Sequence, residues 1–145
     1  MIKQIKIATI LPYKENYTFS KAQAAAIWVC DFFKYSKFKE NNFIYGNTKS
    51  RDYLTKNYIN IDINNLKSKF TSSTKEYCNN FIKKSKNEIF DIIEIHNRPL
   101  VFNYLKKQIN SKFILYFHND PLSMNGSKTS SERLNLLMYL DKIIF

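Results

Sequence analysis

The stretch "DIIEIHNRPLVFNYLKKQINSKFILYFHNDP" (91–121) decides the fold of this chain. Its two apolar runs, "DIIEI" (91–95) and "KFILYF" (112–117), have the length and composition of buried strands. Apolar residues at helical spacing lie between them, beginning with Pro99, which suits a first helical position, and continuing with Leu100, Val101, Tyr104, Leu105 and Ile109. A strand, a helix and a strand in this order predict two parallel strands joined by a right-handed helical crossover.

The rest of the chain repeats this alternation. Further strands are predicted at 5–11, 42–46, 58–63 and 142–145. Capping-box pairs predict the other helix starts, at Ser20 with Gln23, Ser73 with Glu76, and Thr129 with Glu132. The apolar stripes expected to face inward are Ala22, Ala25, Ala26, Val29 and Phe33, then Tyr77, Cys78, Phe81 and Ile82, then Leu134, Leu137 and Met138. The order β-α-β-β-α-β-α-β-α-β predicts an α/β fold, a Rossmann-like doubly wound and mostly parallel sheet with helices on both faces. We expect one domain, 1–145.

The composition narrows the class of protein. A chain of 145 residues with 44% hydrophobic and 16% aromatic residues can bury a core. The net charge of +11 comes mostly from 20 scattered lysines, which together with abundant Asn and Ile are typical of an AT-rich genome, so nucleic acid is a disfavoured partner. A basic surface also attracts anionic membrane lipid or phosphorylated ligands. Because no long apolar run or signal-peptide core occurs, we expect a cytoplasmic protein, with peripheral contact to the inner face of the membrane left open.

The chain has two histidines, and each opens the pattern His-Asn-x-Pro directly after a predicted strand. Ligands of open parallel sheets bind beyond the carboxyl ends of the strands, where His96, His118 and the loop 12–20 would meet. A histidine there can transfer a proton or donate a hydrogen bond near pH 7. The alternative is a structural use, in which these polar residues satisfy backbone groups in turns. Glu94 either pairs with His96 or lies on an exposed face.

Motifs of several enzyme classes are missing. No G-x-G-x-x-G or G-x-x-x-x-G-K-[ST] follows a strand, which argues against a dinucleotide dehydrogenase and a P-loop nucleotidase. No G-x-S-x-G elbow or H-E-x-x-H is present either. A zinc site from Cys30, Cys78, His96 and His118 lacks the close ligand pairs of zinc modules, so we expect no metal. Both thiols fall within apolar stripes and are predicted to be buried and reduced.

Three segments carry a resemblance to a known family: "ILPYKENYTFSKAQAAAIWVCDFFKYSKF", "DIIEIHNRP" and "YFHNDPLSMNGSKTSSERLNLLMYLDKIIF". Together they resemble the amino-terminal half of bacterial group 1 (family 4, GT-B fold) glycosyltransferases of lipopolysaccharide and other surface-glycan synthesis. The resemblance runs over most of the chain. It implies a hexosyltransferase-like enzyme of two Rossmann-like domains facing a cleft. The first domain would mainly receive a glycan or lipid-linked acceptor, and the second would mainly bind the nucleotide-sugar donor, which is a co-substrate, with no further cofactor.

The resemblance also implies roles for individual residues. It places Glu15, Asn16, Tyr17 and Thr18 on the floor of the cleft, His118 as the catalytic residue that holds the transferring sugar, Asn119 and Asp120 beside it, and His96, Asn97 and Arg98 on the acceptor side. Two departures from the family pattern stand out. Residues 21–26 replace the glycine-rich turn before the first helix, and the donor-binding half with its Glu-x7-Glu motif does not follow within the 145 residues. We therefore expect the N-terminal domain of a longer enzyme, inactive by itself.

Two other classes remain open at the level of the sequence. One is a module that binds a glycan or nucleotide without chemistry, and its sign would be saturable binding without turnover. The other is a basic protein of nucleic acid or membrane surfaces, which would bind DNA with a steep dependence on salt.

Overall fold

A computed structural model describes residues 4–63 and 72–145. Within these residues, six strands and four helices follow one another along the chain. They are β1 (Ile7–Ile10), α1 (Ala24–Tyr35), β2 (Asn42–Gly46), β3 (Tyr58–Asn60), α2 (Ser73–Lys84), β4 (Ile92–His96), α3 (Pro99–Leu105), β5 (Lys112–Tyr116), α4 (Ser130–Tyr139) and β6 (Lys142–Ile144). Short 3-10 helices cover Lys39–Asn41 and Pro121–Ser123.

The six strands form one parallel sheet in the order β3-β2-β1-β4-β5-β6. The chain winds outward from β1 to β3 and then crosses back to β4 beside β1, so the order reverses between these two central strands. Connections that leave β1 and β4 in opposite directions open a crevice at their carboxyl ends, which is where such sheets bind ligands. The predicted α/β, Rossmann-like doubly wound fold is confirmed.

Helices cover both faces of the sheet. On the first face α1 packs over the centre, and the core there contains Leu11, Tyr17, Ala26, Val29, Cys30, Ile44 and Tyr58. On the second face α2, α3 and α4 pack against the strands through a larger core that includes Ile10, Tyr77, Phe81, Ile93, Ile95, Val101, Phe102, Leu105, Leu115 and Leu136. We call these the α1 face and the α2–α4 face. Among the described residues, α1 is the one helix that packs on the α1 face. The side chains of β4 and β5 that point to this face therefore lie next to α1 and are not covered by a continuous layer of helices.

One of the three predicted capping boxes forms as expected. Thr129 accepts a hydrogen bond from the Glu132 backbone, and the Glu132 carboxylate accepts one from the Thr129 N–H. The box predicted at Ser20 and Gln23 is wrong, because α1 begins at Ala24 and Gln23 makes no side-chain cap. The box predicted at Ser73 is also wrong, because Ser72 caps α2 by accepting from the backbone of Lys75.

Two further expectations are corrected. The strand predicted at 58–63 ends at Asn60, because its partner β2 ends at Gly46, and the ladder closes with the bond from Ile61 N–H to the Gly46 carbonyl. The inward stripe predicted for the last helix is exposed at Leu134, Leu137 and Met138. Of the residues of α4, only Leu136 is buried, and it is the residue through which this helix joins the core.

Candidate functional site at the carboxyl edge of the sheet

The two histidines are in contact. His96 is the last residue of β4, and His118 follows the end of β5 by two residues. The Nδ1 atom of His96 lies 2.8 Å from the Nε2 atom of His118, and the two rings are inclined by only 12°. The parallel register, which places His96 opposite Tyr116, brings the two His-Asn-x-Pro segments together at one edge.

Asn97 links the two His-Asn-x-Pro segments through hydrogen bonds to the backbone at the end of β5. Its φ of 54° lies in the left-handed region, which asparagine tolerates better than most residues. This turn lets its side-chain oxygen accept a hydrogen bond from the His118 N–H at 2.7 Å, while its own N–H donates to the Tyr116 carbonyl at 2.8 Å. The position of His118 is therefore set by the residue that follows its partner histidine.

The surroundings of the pair keep both imidazoles uncharged near neutral pH. His96 is 1% exposed and stacks on Tyr116 with 4.6 Å between ring centroids, and Trp28 of α1 contacts both histidine rings. Burial and the neighbouring His118 lower the pKa of His96 to about 3. Burial also lowers the pKa of His118, although the nearby Glu15 carboxylate acts in the opposite direction.

A neutral pair shares one proton between the two facing nitrogens. The other nitrogen of His96, Nε2, is buried and has no hydrogen-bond partner among the described residues. A buried N–H without a partner is rarer than an unsatisfied acceptor, which favours the form in which His96 donates from Nδ1 and leaves Nε2 bare. His118 then accepts at Nε2 and carries its proton on Nδ1, where it can serve as a hydrogen-bond donor.

Glu94 is buried on the same face of β4 but does not pair with His96. Its carboxylate accepts a hydrogen bond from the Thr9 hydroxyl at 2.9 Å and a longer one from the Tyr116 hydroxyl at 3.4 Å. Burial raises its pKa, and these two donors only partly offset the effect. Glu94 therefore neither pairs with His96 nor lies on an exposed face. It belongs to a buried polar cluster with Thr9 and Tyr116, next to the histidine pair.

A cleft with two parts runs along the carboxyl edge. The β2–β3 cavity has a volume of about 660 Å³ and is lined by Tyr13, Lys14, Asn47, Thr48, Lys49, Arg51, Tyr53, Asn60, Asp62, Ile63 and Ser73. The β4–β5 cavity has a volume of about 340 Å³ and is lined by Tyr13, Thr74, Asn97, Arg98, Pro99, Leu100, Asn119, Ser123, Met124, Asn125 and Lys128. Tyr13 lines both, so the two cavities adjoin at the loop after β1.

The structure brings four of the eight residues of the two His-Asn-x-Pro segments to this cleft. The lining residues are Asn97, Arg98, Pro99 and Asn119. His96 is buried and His118 is half-buried, and neither histidine lines either cavity. Asp120 is exposed and caps the short 3-10 helix by accepting from the Leu122 N–H at 2.9 Å. Its local role is therefore structural.

The residues predicted on the cleft floor do not line either cavity. Tyr17 is fully buried and stacks on Tyr58 at 5.0 Å, and Thr18 is 1% exposed. The Glu15 carboxylate accepts a hydrogen bond from the Ala26 N–H in the first turn of α1, and Asn16 contributes to neither cavity. These loop residues instead support α1, whose N-cap residue Gln23 makes no side-chain hydrogen bond. Glu15 caps the helix, and Tyr17 packs in the core beneath it.

Sequence reasoning missed several residues of the site. Trp28 and Tyr116 enclose the histidine pair, and Tyr13, Lys14 and Lys128 line the cleft. The position of Tyr13 directly after a strand was the available signal, since the loops at this edge converge. Trp28 and Tyr116 lie within a helix and a strand, where an aromatic residue is typical of a core.

The cysteines do not join the histidines. Cys30 packs on the α1 face and Cys78 on the α2–α4 face, so the sheet separates them and the four-residue zinc site is ruled out. Within residues 4–63 and 72–145, no three His, Cys, Asp or Glu side chains are grouped to hold a metal ion. In the same residues, no helix is long and apolar enough to span a bilayer.

The fold and the site together define a class, an α/β Rossmann-like domain with a histidine pair and a basic cleft at the carboxyl edge of its sheet. No protein-family model matches this sequence, and no curated protein matches it at a significant level.

Proposed function

We propose that this chain is the acceptor-side, N-terminal domain of a bacterial group 1 (family 4, GT-B-type) glycosyltransferase of surface-glycan synthesis, such as that of lipopolysaccharide. The enzyme moves a sugar from a nucleotide-sugar donor to a glycan or lipid-linked acceptor. The observation that carries the proposal is His118, held by His96 and Asn97 at the sheet edge beside a polar cleft. This edge is where open parallel sheets bind their ligands.

In the proposed mechanism, His118 donates a hydrogen bond to the transferring sugar as charge develops on it. His118 is positioned before the reaction, because the His96 ring holds the His118 ring and the Asn97 side chain holds the His118 backbone N–H. The nucleotide-sugar is bound mainly by a second domain, and closure of the two domains excludes water. The 145-residue chain alone therefore has no transferase activity.

The proposed location is the cytoplasm, where nucleotide-sugars serve as donors. The formal charge of +11 supports peripheral contact with anionic lipid on the inner face of the membrane, which would bring a lipid-linked acceptor to the cleft.

The test is to express the polypeptide encoded by the whole native reading frame and to measure sugar transfer from a set of nucleotide-sugars to glycan and lipid-linked acceptors. Replacing His118 with alanine is expected to lower kcat on the order of 10²–10³-fold, the effect of removing one positioned donor. The exposed Lys112, at the opposite end of β5, supplies the control variant Lys112→Gln. A kcat loss below threefold in a folded His118→Ala protein would assign His118 a structural role, and transfer by the 145-residue chain alone would overturn the domain assignment.

A second candidate is a module that binds a glycan or nucleotide without chemistry. The cleft favours it in one respect. Among the described residues that line the larger cavity, Lys14, Lys49 and Arg51 are cationic and Asp62 is the one acidic residue. Saturable binding by the native polypeptide with no turnover of any nucleotide-sugar would support this candidate over the transferase.

A further inference from the structure

Among the described residues, Arg98 makes contacts that restrict its side chain but no bidentate hydrogen bond to a carboxylate. Its guanidinium group lies over the Tyr13 ring at 5.3 Å, and its Nη1 atom makes one long hydrogen bond, 3.4 Å, to the Asn97 carbonyl. The Nε atom is buried and has no partner among the described residues, and no described carboxylate forms an ion pair with this arginine. A guanidinium group has five N–H donors, and only the one on Nη1 makes a hydrogen bond to a described residue.

An unsatisfied donor at a buried position costs free energy, and native structures satisfy such groups with protein atoms, water or a ligand. Contact with the Tyr13 ring restricts the guanidinium group before any ligand arrives. A fixed planar fork loses little conformational entropy when it binds an oxyanion through two parallel hydrogen bonds. The arrangement of Arg98 is therefore that of a preformed anion ligand.

The β4–β5 cavity around Arg98 has the matching charge. Lys128 is its second cationic residue, and none of its described lining residues is acidic. Asn119 and Asn125 add amide donors, and Thr74 places the first turn of the twelve-residue helix α2 at the cavity wall. The amino end of a helix carries partial positive charge, so it adds to the field of the two side chains.

We propose that the β4–β5 cavity is a phosphate-binding subsite, in which Arg98 binds two oxygens of a phosphate monoester on the acceptor and Lys128 binds as the second cation. The phosphate site itself rests on the cavity and on Arg98, and only its assignment to the acceptor rests on the proposed transferase function. Two cations and a helix amino end suit a dianion better than the single charge of a carboxylate. The phosphate belongs either to a soluble sugar phosphate or to a lipid-linked one.

The experiment is an NMR titration of the 145-residue chain, followed at the Arg98 Nε–H and the backbone amides of the cavity. The probes are a hexose 1-phosphate, a water-soluble short-chain prenyl phosphate and the unphosphorylated hexose. Both phosphate esters are expected to shift these signals saturably, and the hexose is not. Tighter binding of the prenyl phosphate would identify the lipid-linked source, and tighter binding of the hexose 1-phosphate the soluble one.

Variants separate a built site from general attraction to a basic surface. Arg98→Gln is expected to raise the Kd about tenfold or more, the effect of losing a charge-assisted pair of hydrogen bonds, and Arg98→Lys to raise it less. Lys112→Gln removes one charge at the far end of β5 and is expected to leave the Kd unchanged. If the Arg98 variants do not fold, Lys128→Gln serves as the test, with an expected increase of at least threefold.

Unchanged Arg98 and cavity signals at millimolar phosphate ester would overturn the subsite, and so would equal effects of Arg98→Gln and Lys112→Gln. The two proposals can fail separately. Saturable phosphate binding without sugar transfer by the native polypeptide would keep the subsite and reject the transferase. Transfer to phosphate-free acceptors without phosphate binding would do the reverse.

Discussion

Replacing His96 with phenylalanine is expected to reduce the loss of stability that this protein suffers when the pH falls from 7 to 5. In the unfolded chain the imidazole binds a proton below its ordinary pKa of about 6.5. In the folded chain burial, together with His118, lowers the pKa of His96 to about 3. The unfolded state therefore binds more protons between these two values, so the free energy of unfolding falls as the pH falls through this window.

The size of the effect follows from the linkage between protonation and folding. Each unit by which the pKa differs between the folded and unfolded states corresponds to about 1.36 kcal/mol of stability. The stability associated with a neutral His96 is fully present above pH 6.5, and it is lost progressively as the pH falls toward 3. Between pH 7 and pH 5 the loss is about 2 kcal/mol. Glu94 has the opposite sign, because burial raises its pKa and the folded state takes up its proton first. Glu94 is present in both proteins, so its contribution largely cancels in the comparison.

The measurement is urea unfolding at pH 7, 6 and 5, followed by the fluorescence of Trp28, the only tryptophan in the chain. Trp28 contacts the His96 ring at 5.7 Å and so reports on this part of the core. A phenylalanine ring can keep the stacking on Tyr116 and the tilted contact with Trp28, but it cannot take up a proton. His118→Phe is the matched control, since it leaves the buried His96 in place and should retain most of the pH dependence. Equal losses of stability in the wild type and His96→Phe would refute the reasoning.

Two predictions concern local structure and are read from the same unfolding curves at pH 7. Asn97→Ala is expected to lower the free energy of unfolding by about 1 kcal/mol more than Asn97→Gly. Both variants lose the hydrogen bond to the His118 N–H, but only glycine adopts the φ of 54° without strain. Equal losses of free energy in the two variants would show that the backbone relaxes. Thr129→Ala is expected to cost about 1 kcal/mol, because it removes the cap that the Glu132 N–H donates to in α4; an unchanged unfolding midpoint would mean that α4 is stabilised by packing alone.

The sequence by itself determined the fold class and indicated the edge of the sheet at which the candidate site lies. Buried strands leave apolar runs, and helices leave spaced apolar residues with local caps such as Thr129 and Glu132, so these signals are contained within a few neighbouring residues. The connection rules then convert the order of elements into a parallel sheet, and the positions of His96 and His118 after their strands follow from it.

Only the tertiary structure decided which side chains face the cleft. The His96–His118 hydrogen bond depends on the register of β4 against β5, and no local pattern encodes the distance between residues that lie 22 positions apart. The loop after β1 also shows that burial cannot be read from the sequence. Tyr17 lies in a polar loop, as a ligand-binding residue would, but its side chain fills the core beneath α1. Burial is a property of what packs around a side chain, and packing is settled by elements distant in sequence.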